Sequence, residues 1–111
     1  MKAMILNRIG SLRHNREPLT PTNLPKPVPG AGEILLKVAT CGVCHTELDE
    51  IEGRTPPPRL PITPGHQVVG RVVKIGPQAR QFEIGDRLGV AWIFSACGAC
   101  NRCKGDAENL C

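Results

Sequence analysis

The stretch "PGHQVVGRVVKIG", residues 64–76, decides the fold of this chain. Four valines and an isoleucine follow within ten residues of His66, and β-branched side chains favour strands, so residues 66–76 are predicted to form one. The predicted strand begins at His66, which lies directly after Gly65 and four residues before Gly70. A single histidine is most often an ordinary surface or core residue. The flanking glycines, however, indicate that the backbone holds this histidine at a defined position.

The segments around this strand also predict β-structure. "KAMIL" (2–6) and "GEILLKVATCG" (32–42) are strand candidates, the second with Ile34, Leu36 and Val38 on one face. "FEIGDRLGVAW" (82–92) predicts a turn at residues 85–86 and another strand. Two segments rich in proline, 17–32 and 55–65, predict extended surface loops, because proline lacks the backbone donor that a central strand needs.

One helix is predicted, over "HTELDEIEG" (45–53), with Thr46 as its cap and Gly53 at its end. Strand and helix do not alternate as they do in a parallel nucleotide-binding fold, and a glycine-rich phosphate loop is lacking. Short strands joined by Pro-rich loops therefore predict a mainly β fold.

Composition limits the function classes. The 111 residues suffice for one domain, 1–111, and are 41% hydrophobic and 22% charged, with a net charge of +4. The basic residues are scattered and aromatic residues are few, which disfavours nucleic acid as a partner. An apolar run of the ~20 residues that cross a membrane is missing. Without a signal peptide, the expected location is the cytoplasm, where thiols stay reduced.

Four of the six cysteines lie close together in "CGACNRCKGDAENLC" (97–111). Their spacing, C-x2-C-x2-C-x7-C, can direct four thiolates at one tetrahedral zinc ion, which leaves no coordination position for substrate. The predicted site is therefore structural. Disulfides, unconnected thiols and an iron–sulfur cluster are the alternatives. The ligands of the predicted zinc site are Cys97, Cys100, Cys103 and Cys111.

The other two cysteines, Cys41 and Cys44, form a C-x2-C pair directly before His45. One interpretation is a redox dithiol, but the thioredoxin-like βαβ pattern that usually surrounds such a pair is lacking. A second is haem attachment at C-x-x-C-H, which is typical of exported proteins of helical fold. The third interpretation uses Cys44 alone, because the start of a helix favours the metal-binding thiolate. His66 is then its partner.

These motifs together resemble the N-terminal, GroES-like domain of zinc-dependent medium-chain alcohol dehydrogenases. The resemblance rests on "CGVCHTEL" (41–48), "PGHQVVGRVVKIGPQA" (64–79), "FEIGDRLGVAW" and the cysteine-rich end. The family's zinc signature is matched at Gly65, His66, Gly70, Gly76 and Ala79. Within the family the chain looks most like the cinnamyl-alcohol-dehydrogenase branch.

The resemblance implies a partly open GroES-type β-barrel with short helices and a structural zinc lobe at the C-terminal end. It also implies a catalytic zinc held by Cys44 and His66, which polarises the oxygen of a small alcohol before a hydride passes to NAD or NADP. Thr46 matches the hydroxyl that accepts the alcohol proton, and His45 matches a contact to the cofactor pyrophosphate.

Two further positions match residues around the family's zinc. Glu47 matches an acidic residue that orients the histidine ligand. Trp92 matches a wall of the substrate pocket, although filling the core explains it equally well.

Three positions depart from the family pattern or have no role in it. Gln67 stands where a glutamate is usual beside the zinc, and an amide cannot neutralise a metal. Asp49 stands where many relatives end their proton relay with histidine, and an ordinary aspartate pKa near ~4 makes a poor relay at pH 7. For Cys41 a buried, apolar thiol is expected.

The resemblance further implies that the third zinc ligand and the cofactor domain lie outside these residues. The chain is therefore expected to be an inactive fragment of an enzyme that is a homodimer or homotetramer. A free-standing zinc-binding interaction module and a zinc-ribbon nucleic-acid binder are the alternatives.

Overall fold

The structure is a computed structural model that describes residues 1–93 and 95–111. Its strands are β1 (Lys2–Leu6), β2 (Leu19–Asn23), β3 (Ile34–Gly42), β4 (Gln67–Ile75) and β5 (Arg87–Gly89). The helices are α1 (His45–Glu52) and α2 (Asn101–Lys104), and a 3-10 turn covers Glu108–Leu110. The predicted mainly β class is confirmed.

β4, the strand predicted from the opening motif, is the centre of a three-stranded antiparallel sheet in the order β3-β4-β5. β1 and β2 form a separate antiparallel pair, in which Pro21 is tolerated because β2 lies at an edge. The two sheets stay open, and the described residues do not close a barrel.

The pairing of β3 with β4 is irregular. Its register shifts between Leu35 and Leu36 and again between Val38 and Thr40. Such bulges break the alternation of side chains between the two faces. The predicted common face of Ile34, Leu36 and Val38 crosses the first of these shifts; Ile34 and Leu36 are half-buried, whereas Val38 is 55% exposed.

The helix α1 confirms one predicted boundary and corrects the other. It ends at Gly53, which has the left-handed φ of 79° that favours glycine. Its N-cap is Cys44 and not Thr46. The Cys44 N–H donates to the Glu47 carboxylate at 2.7 Å, so the helix begins earlier than the predicted cap.

The buried apolar residues are few, and they come from distant parts of the chain. Leu6 and Val72 are almost wholly buried, and Ile5, Ile51 and Ala79 accompany them. Leu6 also exchanges backbone hydrogen bonds with Ile62 at 2.8 and 3.0 Å, which attaches β1 to the second Pro-rich loop. Within the described residues, none of the helices combines the length and apolar character that crossing a membrane requires.

The end of β4 leaves no room for a side chain. A Cβ atom at Gly76 would lie 1.9 Å from the backbone oxygen of Gly30, and the Gly76 N–H donates to Glu33 at 2.9 Å. Neighbouring backbone cannot swing aside as a flexible side chain can. Glycine is therefore required at this position by a close approach of two chain segments.

We expect Gly76→Ala to lower the free energy of unfolding by about 1–3 kcal/mol, because the added methyl forces the backbone apart. Gly89→Ala is the matched control: it lies in β5, and a Cβ there meets nothing within 4 Å. Urea denaturation of both variants under reducing conditions checks this expectation. Equal midpoints for the two variants would contradict the close approach.

Candidate metal centres

The predicted cysteine lobe, residues 97–111, comes together in the structure. Cys97 precedes a turn at Gly98, which has a φ of 68°, and Cys100 is the N-cap of α2. Cys103 lies within α2, and the 3-10 turn leads to Cys111. The four sulfurs lie within 4.8 Å of one another. Local turns therefore suffice to gather all four thiols.

The spacing of these sulfurs fits one metal ion. Cys97 and Cys103 are 3.9 Å apart, Cys100 and Cys103 are 3.6 Å apart, and Cys100 and Cys111 are 3.9 Å apart. Two thiolates ~2.3 Å from a tetrahedral zinc are separated by ~3.8 Å. All six cysteines of the chain are free thiols. The donor set fits a single zinc better than disulfides or a cluster of several irons.

Backbone amides favour the thiolate form of Cys97. Its sulfur accepts the N–H groups of Ala99 at 3.4 Å and Cys100 at 3.3 Å. These two hydrogen bonds are the main reason that the pKa of Cys97 is lowered to about 6. The pKa of Cys100 is also lowered, chiefly by the backbone of Cys103, whereas desolvation raises the pKa of Cys103 itself.

A second cluster contains Cys44, Glu47 and His66, all within 4.8 Å through their ligand atoms. The sulfur of Cys44 lies 3.4 Å from Nε2 of His66. A thiolate and an imidazole nitrogen on one tetrahedral zinc are separated by ~3.5 Å. Cys44 and His66, which are 22 residues apart in the chain, therefore fit two corners of one zinc site.

Glu47 supports the imidazole from the side opposite Cys44. Its Oε1 lies 3.0 Å from Nδ1 of His66, in a close contact without a well-aligned hydrogen bond. Glu47 is buried, and within the described residues Oε1 has no other partner. Burial raises the pKa of Glu47, but hydrogen bonds from the backbone of Cys44, the backbone of Glu47 itself and the Cys44 thiol, with a smaller contribution from His66, outweigh it and lower the pKa overall.

The first turn of α1 also carries the other predicted site residues. Thr46 follows Cys44 by two positions and is half-buried, whereas the His45 side chain is 75% exposed. Nδ1 of His45 lies 3.2 Å from Oδ1 of Asp49. The first turn of α1 thus carries a hydroxyl and an imidazole directly after Cys44 in the chain.

Asp49 is held by an arginine that sequence reasoning missed. Nε of Arg54 donates to Oδ1 of Asp49 at 2.5 Å, and Arg54 also pairs with Glu52. The Arg54 hydrogen bond is the main reason that the pKa of Asp49 lies below its usual value. The only sequence signal for this contact is an acidic residue in the helix followed by an arginine just after the helix end. Such pairs are common at protein surfaces, so the signal does not single out Arg54.

Trp92 contacts the metal cluster and Gln67 does not join it. The rings of Trp92 and His66 have centroids 4.5 Å apart, with an angle of 56° between their planes. The Gln67 side chain instead covers Gly42, its partner across β3 and β4. Gln67 therefore supports the strand pairing beside the site.

The position of Cys41 contradicts the prediction of a buried, apolar thiol. It is exposed, and its sulfur lies over Gly65 in a groove between the two sheets. Cys41 lies in the last part of β3, after the second bulge. A register shift of one residue there changes the face of the sheet on which a side chain lies. Cys41 thus belongs to neither metal cluster.

Comparison with known proteins finds alcohol dehydrogenases among the relatives of this chain. An alcohol dehydrogenase from Moraxella sp. is 44% identical over all of this chain, which covers 31% of that protein. A probable cinnamyl alcohol dehydrogenase from Lolium perenne is 40% identical over 74% of this chain and 23% of its own length. The chain therefore spans less than a third of these relatives.

Solved structures agree with this comparison. A zinc-binding dehydrogenase from Sinorhizobium meliloti bound to NADP matches 99% of this chain and 30% of its own, with TM-score 0.78 and 33% identity. The cobalt- and zinc-bound alcohol dehydrogenase of Pyrobaculum aerophilum matches 100% and 32%, with TM-score 0.87 and 27% identity.

The family model that matches the chain covers residues 30–111, from the loop before β3 through the last cysteine of the lobe. This span includes both metal clusters and the whole three-stranded sheet. The chain belongs to the alcohol dehydrogenase GroES-like domain family.

Proposed function

We propose that this chain is the zinc-binding part of an NAD(P)-linked alcohol dehydrogenase that interconverts a small alcohol and its aldehyde or ketone. The observation that carries the proposal is the 3.4 Å approach of Cys44 to Nε2 of His66 with Glu47 behind the ring. A zinc ion there supplies a Lewis acid that polarises the alcohol oxygen. The third protein ligand and the cofactor domain come from the rest of the longer enzyme.

Each residue of the site has a separate task in this proposal. Cys44 supplies a thiolate and His66 a neutral nitrogen, while Glu47 fixes the histidine ring through Nδ1. Thr46 accepts the proton of the alcohol and passes it on toward solvent. His45 is exposed, so it is available to the pyrophosphate of the cofactor, and Asp49 orients it at 3.2 Å.

Asp49 itself is a poor end for the proton relay. Arg54 and His45 both stabilise its carboxylate, and the resulting low pKa opposes protonation near neutral pH. Proton transfer in this enzyme therefore proceeds to water beyond Thr46. Gln67, which lies against Gly42, leaves the charge of the zinc unchanged.

The cysteine lobe has a structural role in this proposal. Four thiolates complete a tetrahedral shell, so a zinc there has no open position for substrate. We place the parent enzyme in the cytoplasm, where six free thiols persist, and assign it a dimer or tetramer.

The enzyme containing this chain is expected to oxidise small alcohols with NAD or NADP. Cys44→Ser in that enzyme should lower kcat/KM by roughly 10³-fold or more, because the metal site loses its thiolate. Cys41→Ser is the matched control and should retain activity, since Cys41 lies in neither cluster. Steady-state assays with a series of alcohols check this. An active Cys44→Ser enzyme would overturn the proposal.

Metal content distinguishes the two centres in the isolated chain. One tightly bound zinc is expected, in the lobe, because the site of Cys44 and His66 lacks a ligand and binds a metal ion only weakly in this chain. Cys103→Ser should lose this zinc, and His66→Asn should keep it. Native mass spectrometry under reducing conditions measures both. A folded wild-type chain without zinc would contradict the structural site.

The lowered pKa of Cys97 predicts its reactivity in the metal-free chain. Because that pKa is about 6, Cys97 is a thiolate at pH 7 and should react with iodoacetamide faster than Cys103, whose pKa is raised. The rate at Cys97 should fall as the pH drops through about 6. Zinc should protect both thiols.

Peptide mapping by mass spectrometry at several pH values measures this alkylation. The Cys97 and Cys103 peptides from the same sample provide an internal comparison. Equal rates for the two thiols at pH 7 would mean that the backbone amides do not stabilise the Cys97 thiolate.

A further inference from the structure

The register of the central sheet brings Trp92 opposite His66. Val69 pairs with Gly89, and the Val90 N–H donates to Val68 at 2.8 Å, one step further along the same antiparallel register. Continued two residues further, beyond the paired strands, the same register would place His66 opposite Trp92. Directly opposed residues of antiparallel strands present their side chains on the same face. The observed contact between the two rings fits this continuation of the strand register.

His66 is thus contacted on three sides. Glu47 lies 3.0 Å from Nδ1, Cys44 lies 3.4 Å from Nε2, and the indole packs beside the ring at 4.5 Å between centroids. The first two contacts lie at the edge of the imidazole. Both restrain the ring through its nitrogens, and a neighbour at its side adds a third restraint against rotation about the Cβ–Cγ bond.

We propose that Trp92 is a positioning residue for the metal ligand His66, and this inference rests on the proposed metal site. The indole holds the imidazole in the orientation in which Nε2 and the Cys44 sulfur share one ion. A bound cation also draws electron density from the imidazole, and an electron-rich indole beside it stabilises that positive ring. Trp92 therefore raises metal affinity through His66, apart from any contact with substrate.

The size of the effect follows from the contact. A tilted aromatic pair contributes a preference of roughly 3- to 10-fold to the conformation that forms it. Removing the indole should weaken metal binding at Cys44 and His66 by that factor. Trp92 is 65% exposed, so its removal should leave the free energy of unfolding nearly unchanged.

Cobalt(II) titration of the full chain, with zinc already bound in the lobe, tests the proposal. Thiolate-to-cobalt absorption reports binding at Cys44. Indole emission comes from Trp92 alone, because the chain has one tryptophan and no tyrosine. In the wild type both signals should change together, since a paramagnetic ion beside His66 quenches the neighbouring indole.

The variants are Trp92→Ala, Trp92→Phe and Trp92→Leu. The dissociation constant for cobalt should rise roughly 3- to 10-fold in Trp92→Ala and stay within about 2-fold of wild type in Trp92→Phe, which keeps an aromatic face. Trp92→Leu keeps apolar bulk without that face and should resemble Trp92→Ala. Zinc content and melting temperature, as measures of the lobe and the fold, should match the wild type.

Two results would overturn the proposal, and they separate a failure of the role of Trp92 from a failure of the metal site itself. If His66→Asn abolishes cobalt binding but Trp92→Ala and Trp92→Leu bind as tightly as the wild type, the metal site exists and Trp92 does not position it. If the wild type shows no thiolate-to-cobalt absorption that depends on Cys44, the proposed metal site fails and the inference fails with it.

Discussion

The pairing of β4 with strands on both sides is the constraint on which the rest of the structure depends. Gln67 pairs with Gly42 at the end of β3, so Cys44 emerges just beyond the strand that flanks His66. On the other side, the pairing of β4 with β5 delivers Trp92 to the same histidine. A single strand therefore places a thiol and an indole against one imidazole, although they come from distant parts of the sequence. The glycine that follows this strand, Gly76, allows the loop at Gly30 to approach its end closely.

The sequence predicted the features that depend on local pattern. β-branched runs identified β3 and β4, Gly53 marked a helix end, and four cysteines within 15 residues identified the lobe, because short turns gather them. The pairing of Cys44 with His66 was one of three interpretations that the residues left open, and the family resemblance selected it, since 22 residues separate the two. The bulges of β3, the exposure of Cys41 and the arginine that holds Asp49 could not be predicted, because register shifts and contacts beyond a helix end arise from packing between segments.

The two metal clusters differ in charge as well as in position. Four thiolates more than neutralise a zinc ion, which stabilises the ion and weakens its attraction for further electron pairs. In the proposed site this chain supplies one thiolate and one imidazole, and having fewer thiolates than the lobe would leave the ion better able to polarise a substrate oxygen. The buried carboxylate of Glu47 faces the far side of the imidazole. It makes that ligand a better electron donor without occupying a place on the metal.

The lobe and the Cys44 cluster also require chain closures of different length. The lobe closes over residues 97–111, through α2 and a 3-10 turn. The other cluster forms only when the chain returns from α1 through a Pro-rich loop to the start of β4. Closing a short loop costs less entropy and is faster than forming a sheet of distant strands. A nascent chain that captures zinc early can therefore hold it in the lobe before the sheet exists. The order of folding then separates the structural ion from the catalytic one without any difference in metal preference.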